Sequence, residues 1–196
     1  KLIPAKEVGG DLYDFFIEGN KLYFIVGDVS GKGVPASLVM AVTCRLFRTV
    51  AAHFQTPSEI VTALNDALAE SNESNMFCTF FIGILDLCNG HLQYCNAGHN
   101  APVIISPSCE VKFMEVLPNL PLGLFGGFPY EGQECDIAKG TSIFLYTDGV
   151  TEAENNDKAL YSDERLLNLL DKQRNSMPQT LVDVLLADID KHVNGA

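Results

Sequence analysis

Residues 26–40 read VGDVSGKGVPASLVM. An apolar run leads into this stretch, two glycines bracket a lysine, and a helix-like segment opens behind Pro35. A loop of this kind invites comparison with the phosphate cradles of nucleotide-binding proteins. A Walker A loop needs G-x-x-x-x-G-K-[ST]. Here Gly27 to Gly31 is one residue too short, and Gly33 follows the lysine where a hydroxyl should hold magnesium. Gly31, Gly33 and Ala36 match the dinucleotide form G-x-G-x-x-[GA]. That form also needs an acid about twenty residues further on to hold a ribose, where this chain reads VAAHF. Asp28 at the mouth of the loop would repel a pyrophosphate.

Asp28 makes sense as a cation ligand. An acid at the end of a buried strand, followed by small residues, can face a cavity and hold a hard cation such as magnesium or manganese, which take oxygen donors. The Val29 carbonyl can add a further oxygen. Two more acids have matching contexts. Asp11 lies in EVGGDLYD, just behind two glycines, and Asp148 lies in FLYTDGVTEA, where an apolar run ends in Thr-Asp-Gly. A single Asp–Gly more often marks a turn. Three acids at strand ends, each beside glycine, point to a convergent cluster.

The elements on either side follow from pattern. GGDLYDFFIEGN and KLYFIVG read as a hairpin turning at Gly19 and Asn20. The second of these reads as a strand buried on both faces. Residues 35–54, PASLVMAVTCRLFRTVAAHF, are largely apolar and predict a mostly buried helix with proline in its first turn. Thr56, Pro57 and Glu59 form a capping box. Ile60, Ala63, Leu64, Ala67 and Leu68 then share one helical face.

MFCTFFIGILDL and HLQYCNA read as strands joined by an Asn89–Gly90 turn, and APVIIS, EVKFMEV and TSIFLYT continue the strands. Residues 117–129, LPNLPLGLFGGFP, read as a loop. Two helices end the chain, with Ser162 capping DERLLNLLDKQ, and Ser176 with Gln179 capping PQTLVDVLLADIDKHV. Strands, helices, strands and helices in that order are not a βαβ alternation. They predict an α+β fold with antiparallel sheets and helices packed outside.

Bulk properties narrow the function. The 196 residues are 47% apolar and 19% charged, enough for one domain with a sizeable core. A net charge of −12 argues against nucleic-acid and anionic-membrane binding, which need basic surface. The six cysteines, Cys44, Cys78, Cys88, Cys95, Cys109 and Cys135, form no C-x-x-C. Several sit in apolar strand-like runs and read as small core residues, in a reduced, cytoplasmic setting. No signal peptide is visible, and no apolar run reads as long enough to cross a bilayer. The chain begins at Lys1 without a methionine, as a piece of a longer protein would.

The segments EVGGDLYDF, GDVSGKGVPASLVMA, TFFIGILD, YCNAGHNAPVI, PLGLF and LYTDGVTEA run in this order over nearly the whole chain. Together they resemble the PPM (PP2C-like) metal-dependent serine/threonine phosphatases, and most closely the bacterial sigma-factor regulators of the RsbU and SpoIIE type. The resemblance implies a four-layer αββα sandwich, two central antiparallel sheets flanked by helical pairs, in a single catalytic domain over residues 1–196. It implies two manganese or magnesium ions. It implies hydrolysis of phosphoserine or phosphothreonine on a small phosphoprotein, typically an anti-sigma-factor antagonist with a STAS fold. By position, Asp28 matches the acid that bridges both metals, with the Val29 carbonyl as an added ligand. Asp11 matches the acid of the first segment and Asp148 the later ligand.

The family ends in a strand with an Asp-Asp-Ile-Thr-like segment, whereas this chain stops at DKHVNGA. One metal site is therefore expected to be incomplete here, and the upstream switch helix and sensory region to be missing. Lys32 and His99 are candidates for substrate contact, weighed against a solvated loop lysine and a structural turn histidine. Asp14 reads as an orienter of the site or as a strand-face residue. The first helix can face a second copy in a homodimer or the core. The rival from another class is a catalytically weak phosphatase-fold module that serves protein recognition.

Overall fold

The sequence alternates across the Gly19–Asn20 reversal, and the chain folds there as a two-strand hairpin. In the computed structural model, which describes residues 9–70, 76–108 and 110–194, β1 (Leu12–Glu18) and β2 (Lys21–Val29) pair antiparallel from Glu18↔Lys21 up to Leu12↔Gly27. This hairpin is the edge of a five-stranded sheet ordered β1-β2-β3-β4-β7, with β3 (Cys78–Asp86), β4 (His91–Ala97) and β7 (Gln133–Asp136). The sheet belongs to one compact unit, residues 9–99 and 115–137.

Two helices of that unit, α1 (Val34–Ala51) and α2 (Pro57–Glu70), share its core with the sheet. Phe16 on β1 stacks on Tyr23 of β2 with ring centroids 4.7 Å apart and meets Phe47 of α1 at 5.5 Å. Phe47, Ile60 and Leu64 bring the helices onto Ile25, Phe80, Ile82 and Ile84. Each such fully buried side chain contributes about 2–3 kcal/mol of transfer free energy. The predicted capping box of α2 is present: the Thr56 amide donates to Glu59 Oε2 at 3.0 Å, and the Glu59 amide to Thr56 Oγ1 at 3.4 Å.

The other unit, residues 100–114 and 138–194, holds a three-stranded antiparallel sheet ordered β6-β5-β8. Its strands are short: β5 (Val103–Ile105), β6 (Lys112–Phe113) and β8 (Ser142–Phe144). Helices α3 (Asp163–Lys172) and α4 (Pro178–Val193) pack Leu166, Leu170, Leu181 and Leu185 with Val103 and Ile105 of the sheet. Asp163 and Glu164 in the first turn of α3, and Lys172 in its last, suit the helix dipole.

Among the described residues, two antiparallel sheets and four helices make the α+β class expected from the element order. Several finer expectations fail. The first helix is not mostly buried. Only Ala36, Thr43, Phe47 and Ala51 are, while Val34, Leu38 and Val42 are exposed. An apolar stretch without periodicity reads as buried all round, but α1 lies against the core with one face alone. By length and composition α1 is also long and apolar enough to cross a membrane, contrary to the sequence reading. Its Arg45 and Arg48 are exposed, and Arg48 reaches across to Asp14 of β1. Ser176 does not cap α4, because Pro178 occupies the first turn and Met177 becomes the cap residue. The Ser176 hydroxyl donates instead to Gln173 Oε1 at 2.7 Å. Strand β7 was not expected at all. Ser162 does cap α3, accepting from the Arg165 amide. Cys109 lies outside the described residues.

Candidate functional site

Asp28 is the last but one residue of β2, and Asp11 immediately precedes β1. The Leu12↔Gly27 pairing, continued by one step, sets the two acids opposite each other on neighbouring strands. The backbone here is pressed close. The Val29 amide donates to the Gly10 carbonyl at 3.3 Å. A Cβ on Gly10 would stand 2.7 Å from the Val29 carbonyl oxygen and 3.2 Å from Asp28 Oδ1. Only glycine lets the 9–11 strap run so near the Asp28 carboxylate. The same contact shows that the Val29 main chain and the Asp28 side chain both face that strap. Two carboxylates and a carbonyl at one corner of a sheet are an oxygen-only donor set, the chemistry that magnesium and manganese select.

The loop that follows is fixed at both ends. The Ser30 amide donates to the Phe77 carbonyl at 2.8 Å, and the Phe77 amide returns a bond to Ser30 Oγ at 2.9 Å. Lys32 then lies exposed between Gly31 and Gly33, both with positive φ (91° and 80°). Side-chain-bearing residues rarely adopt that backbone, so the two glycines form the narrow turn that holds the lysine out.

His99 lies behind the site. It is only 6% exposed, and its Nδ1 is 2.8 Å from Thr79 Oγ1. The Thr79 hydroxyl in turn donates to the Asp28 carbonyl at 3.3 Å. Asn96 clamps the histidine backbone, donating to its carbonyl at 2.9 Å and accepting from its amide at 3.2 Å. The NAGH turn, through Thr79, thus supports the main chain of Asp28. Asp14, three residues after Asp11, accepts a two-pronged bond from Arg48 of α1, with both contacts at 2.6 Å. That guanidinium holds the Asp14 carboxyl below the usual carboxylate range, against the opposing effect of burial.

Asp148 is carried by the other unit. It lies exposed in the turn after β8, where its carbonyl accepts from the Glu152 amide at 2.8 Å. The structure therefore joins Asp11, Asp28 and Val29 in one unit and sets Asp148 in the second. Within neither unit, among the described residues, do three or more His, Cys, Asp or Glu side chains gather as a metal cage. Cys78 sits close to Asp28, but burial, reinforced by that acid, pushes its thiol well up. Burial pushes Cys95 up to about 12. Neither supplies a thiolate nucleophile at neutral pH.

Thr79, Ser37 and Arg48 were not singled out from sequence. For Thr79 and Ser37, a lone hydroxyl inside CTFFIGILD or PASLVMA was the available signal, since a polar side chain in an apolar run needs a partner.

Comparison with known proteins agrees with these motifs. Residues 18–196 match the family described as Stage II sporulation protein E (SpoIIE). The chain is 28% identical over 222 residues to Protein IcfG of Synechocystis sp., covering 98% of this chain and 34% of that protein. It is 27% identical over 180 residues to Phosphoserine phosphatase RsbU of Bacillus subtilis, covering 92% of this chain and 53% of that protein. It thus spans about a third to a half of the length of these relatives. In fold it is similar to the SiaA-PP2C domain of Pseudomonas aeruginosa, with a TM-score of 0.86 at 18% identity, covering 97% of this chain and 76% of that one.

Proposed function

Because this chain belongs to the SpoIIE family, we propose that it is the catalytic domain of a metal-dependent phosphoserine/phosphothreonine protein phosphatase with the four-layer αββα sandwich of that fold. The observation that carries the proposal is the seating of Asp11 opposite Asp28, across a glycine strap too tight for any side chain. Asp28, Asp11 and the Val29 carbonyl would hold the divalent ions, manganese or magnesium. Asp148 is assigned as a further ligand by its motif alone.

The ions, when bound, supply an acidified water and neutralise phosphate charge. The chain's own residues set the stage for them. The carboxylates provide the negative charge that retains the cations. The Thr79–His99 pair fixes the Asp28 main chain, and Lys32 stands exposed at the mouth to meet an incoming phosphate. The substrate would be a small phosphoprotein of the anti-sigma-factor-antagonist kind, met in the cytoplasm. The relative named as a phosphoserine phosphatase supports the phosphoserine part of this reading.

The test is release of phosphate from a phosphoserine peptide with added Mn²⁺, for this chain and for a longer one that continues past residue 196. Turnover that needs the metal and is lost in Asp28→Asn, with the fold retained, is the expected result. Folded protein with no turnover in either chain would leave the protein-recognition module as the better reading.

A further inference from the structure

Asp11 follows two glycines, the residues with the most backbone freedom to lose. Something must hold the strap if its acid is to stay opposite Asp28. The Gly10–Val29 hydrogen bond is one restraint. The second comes from α1. Ser37, in its first turn, places Oγ 2.9 Å from the Gly9 carbonyl, 28 residues away in sequence, and 3.1 Å from the Gly33 carbonyl. The Gly33 carbonyl already accepts from the Ser37 amide at 3.1 Å. The single hydroxyl proton is assigned to Gly9, the shorter contact, since the Gly33 carbonyl has the amide.

We propose that Ser37 is a positioning residue for the metal site, its hydroxyl tethering the Gly9–Asp11 strap to α1 and so fixing Asp11 against Asp28. This rests on the metal-site reading given above. Ser37 touches neither substrate nor metal, and it acts only through the backbone of the strap. The tether also makes the strap sense the position of α1 at its first turn, while Arg48 joins the far end of the same helix to Asp14.

The test uses Ser37→Ala, which keeps a strong helix former in α1, and Ser37→Thr, which restores the hydroxyl. Two readouts are taken on the protein: amide exchange at Val29 without metal, and Mn²⁺ affinity by titration calorimetry. Loss of one hydrogen bond of ordinary net strength corresponds to about a five-fold change. In Ser37→Ala, Val29 exchange is expected to quicken and Mn²⁺ binding to weaken, each by about that factor. Ser37→Thr is expected to stay within about two-fold of wild type, by the same hydrogen-bond reasoning. A Ser37→Ala variant that binds Mn²⁺ as tightly as wild type overturns the role of Ser37, whatever its exchange rate, and leaves the metal site standing. A wild type that takes up no Mn²⁺ overturns the metal-site reading and this proposal with it, while Val29 exchange still reports whether the tether exists.

Discussion

Asp14 and Arg48 meet across the joint between β1 and α1, and their pairing has a definite pH signature. The folded-state pKa of Asp14 lies below its ordinary 3.8, chiefly because of the Arg48 hydrogen bonds. A carboxyl depressed on folding contributes stability that is fully present above its unfolded pKa and is lost as pH falls through the folded value. Asp14→Asn should therefore melt below wild type at pH 7, and the gap should close as melts are taken below pH 4. His91 has the opposite sign. Asp136, at 3.1 Å, and Glu134 raise its pKa above 6.5. Its contribution is present below pH 6.5 and lost above the raised value, so His91→Gln should be destabilising at pH 5.5 and neutral at pH 9. Ser162 carries strain of another kind. It caps α3 at φ 75° and ψ 154°, a region nearly reserved for glycine, and its cap bond to the Arg165 amide is long at 3.5 Å. Glycine at a cap costs a few tenths of a kcal/mol, whereas the strain costs about 1–3 kcal/mol. Ser162→Gly should raise the melting temperature, and a fall would show that the cap bond dominates. None of these three features was legible beforehand except the cap, because each depends on which residue a fold brings opposite another.

At the scale of elements, the helices show where pattern reading succeeds and where it stops. The start of α2 was legible because Thr56, Pro57 and Glu59 act within one turn. Its buried face was only partly so. Ile60 and Leu64 are buried as expected, but Asn65 is buried beside them, and a periodicity count places an asparagine on the surface. Asn65 organises the 117–129 loop: Oδ1 accepts from the Gly123 amide at 3.0 Å and from the Tyr130 hydroxyl at 3.1 Å, while Nδ2 donates to the Phe125 carbonyl at 2.8 Å. Removing it strands buried groups. Asn65→Ala should cost about 3 kcal/mol or more in denaturant unfolding, at about 1–3 kcal/mol for each group left unpaired. Helix α1 makes the converse point. Its apolar residues do not tell which face is covered, and the structure covers Phe47 while exposing Leu38 at 64%. Phe47→Ala should cost about 3–5 kcal/mol, and Leu38→Ser no more than about 0.5 kcal/mol, the usual range for an exposed site. Equal costs would mean that the outer face of α1 is covered in solution.

Over the whole molecule, the order of strands and helices was enough for the α+β class, since runs of each type exclude the βαβ alternation. Strand β7 escaped because QECD is an edge strand with two exposed acids, Glu134 and Asp136, and so carries no apolar alternation. Asp11, Asp28 and Asp148 were legible as motifs, Asp11 just before an apolar run and the other two at the end of one. What sequence did not reveal was the scaffolding around them: the strap contact at Gly10, the Thr79–His99 support and the Ser37 tether all arise from residues far apart in the chain. The central claim is that Asp28 holds the catalytic cations, and it is tested most directly by Mn²⁺ titration calorimetry of wild type and Asp28→Asn, in a chain that continues past residue 196. The account predicts two ions per wild-type chain, as a two-metal site requires, and loss of tight binding in the variant with its fold intact. An Asp28→Asn variant that takes up the same number of ions at the same affinity would contradict it.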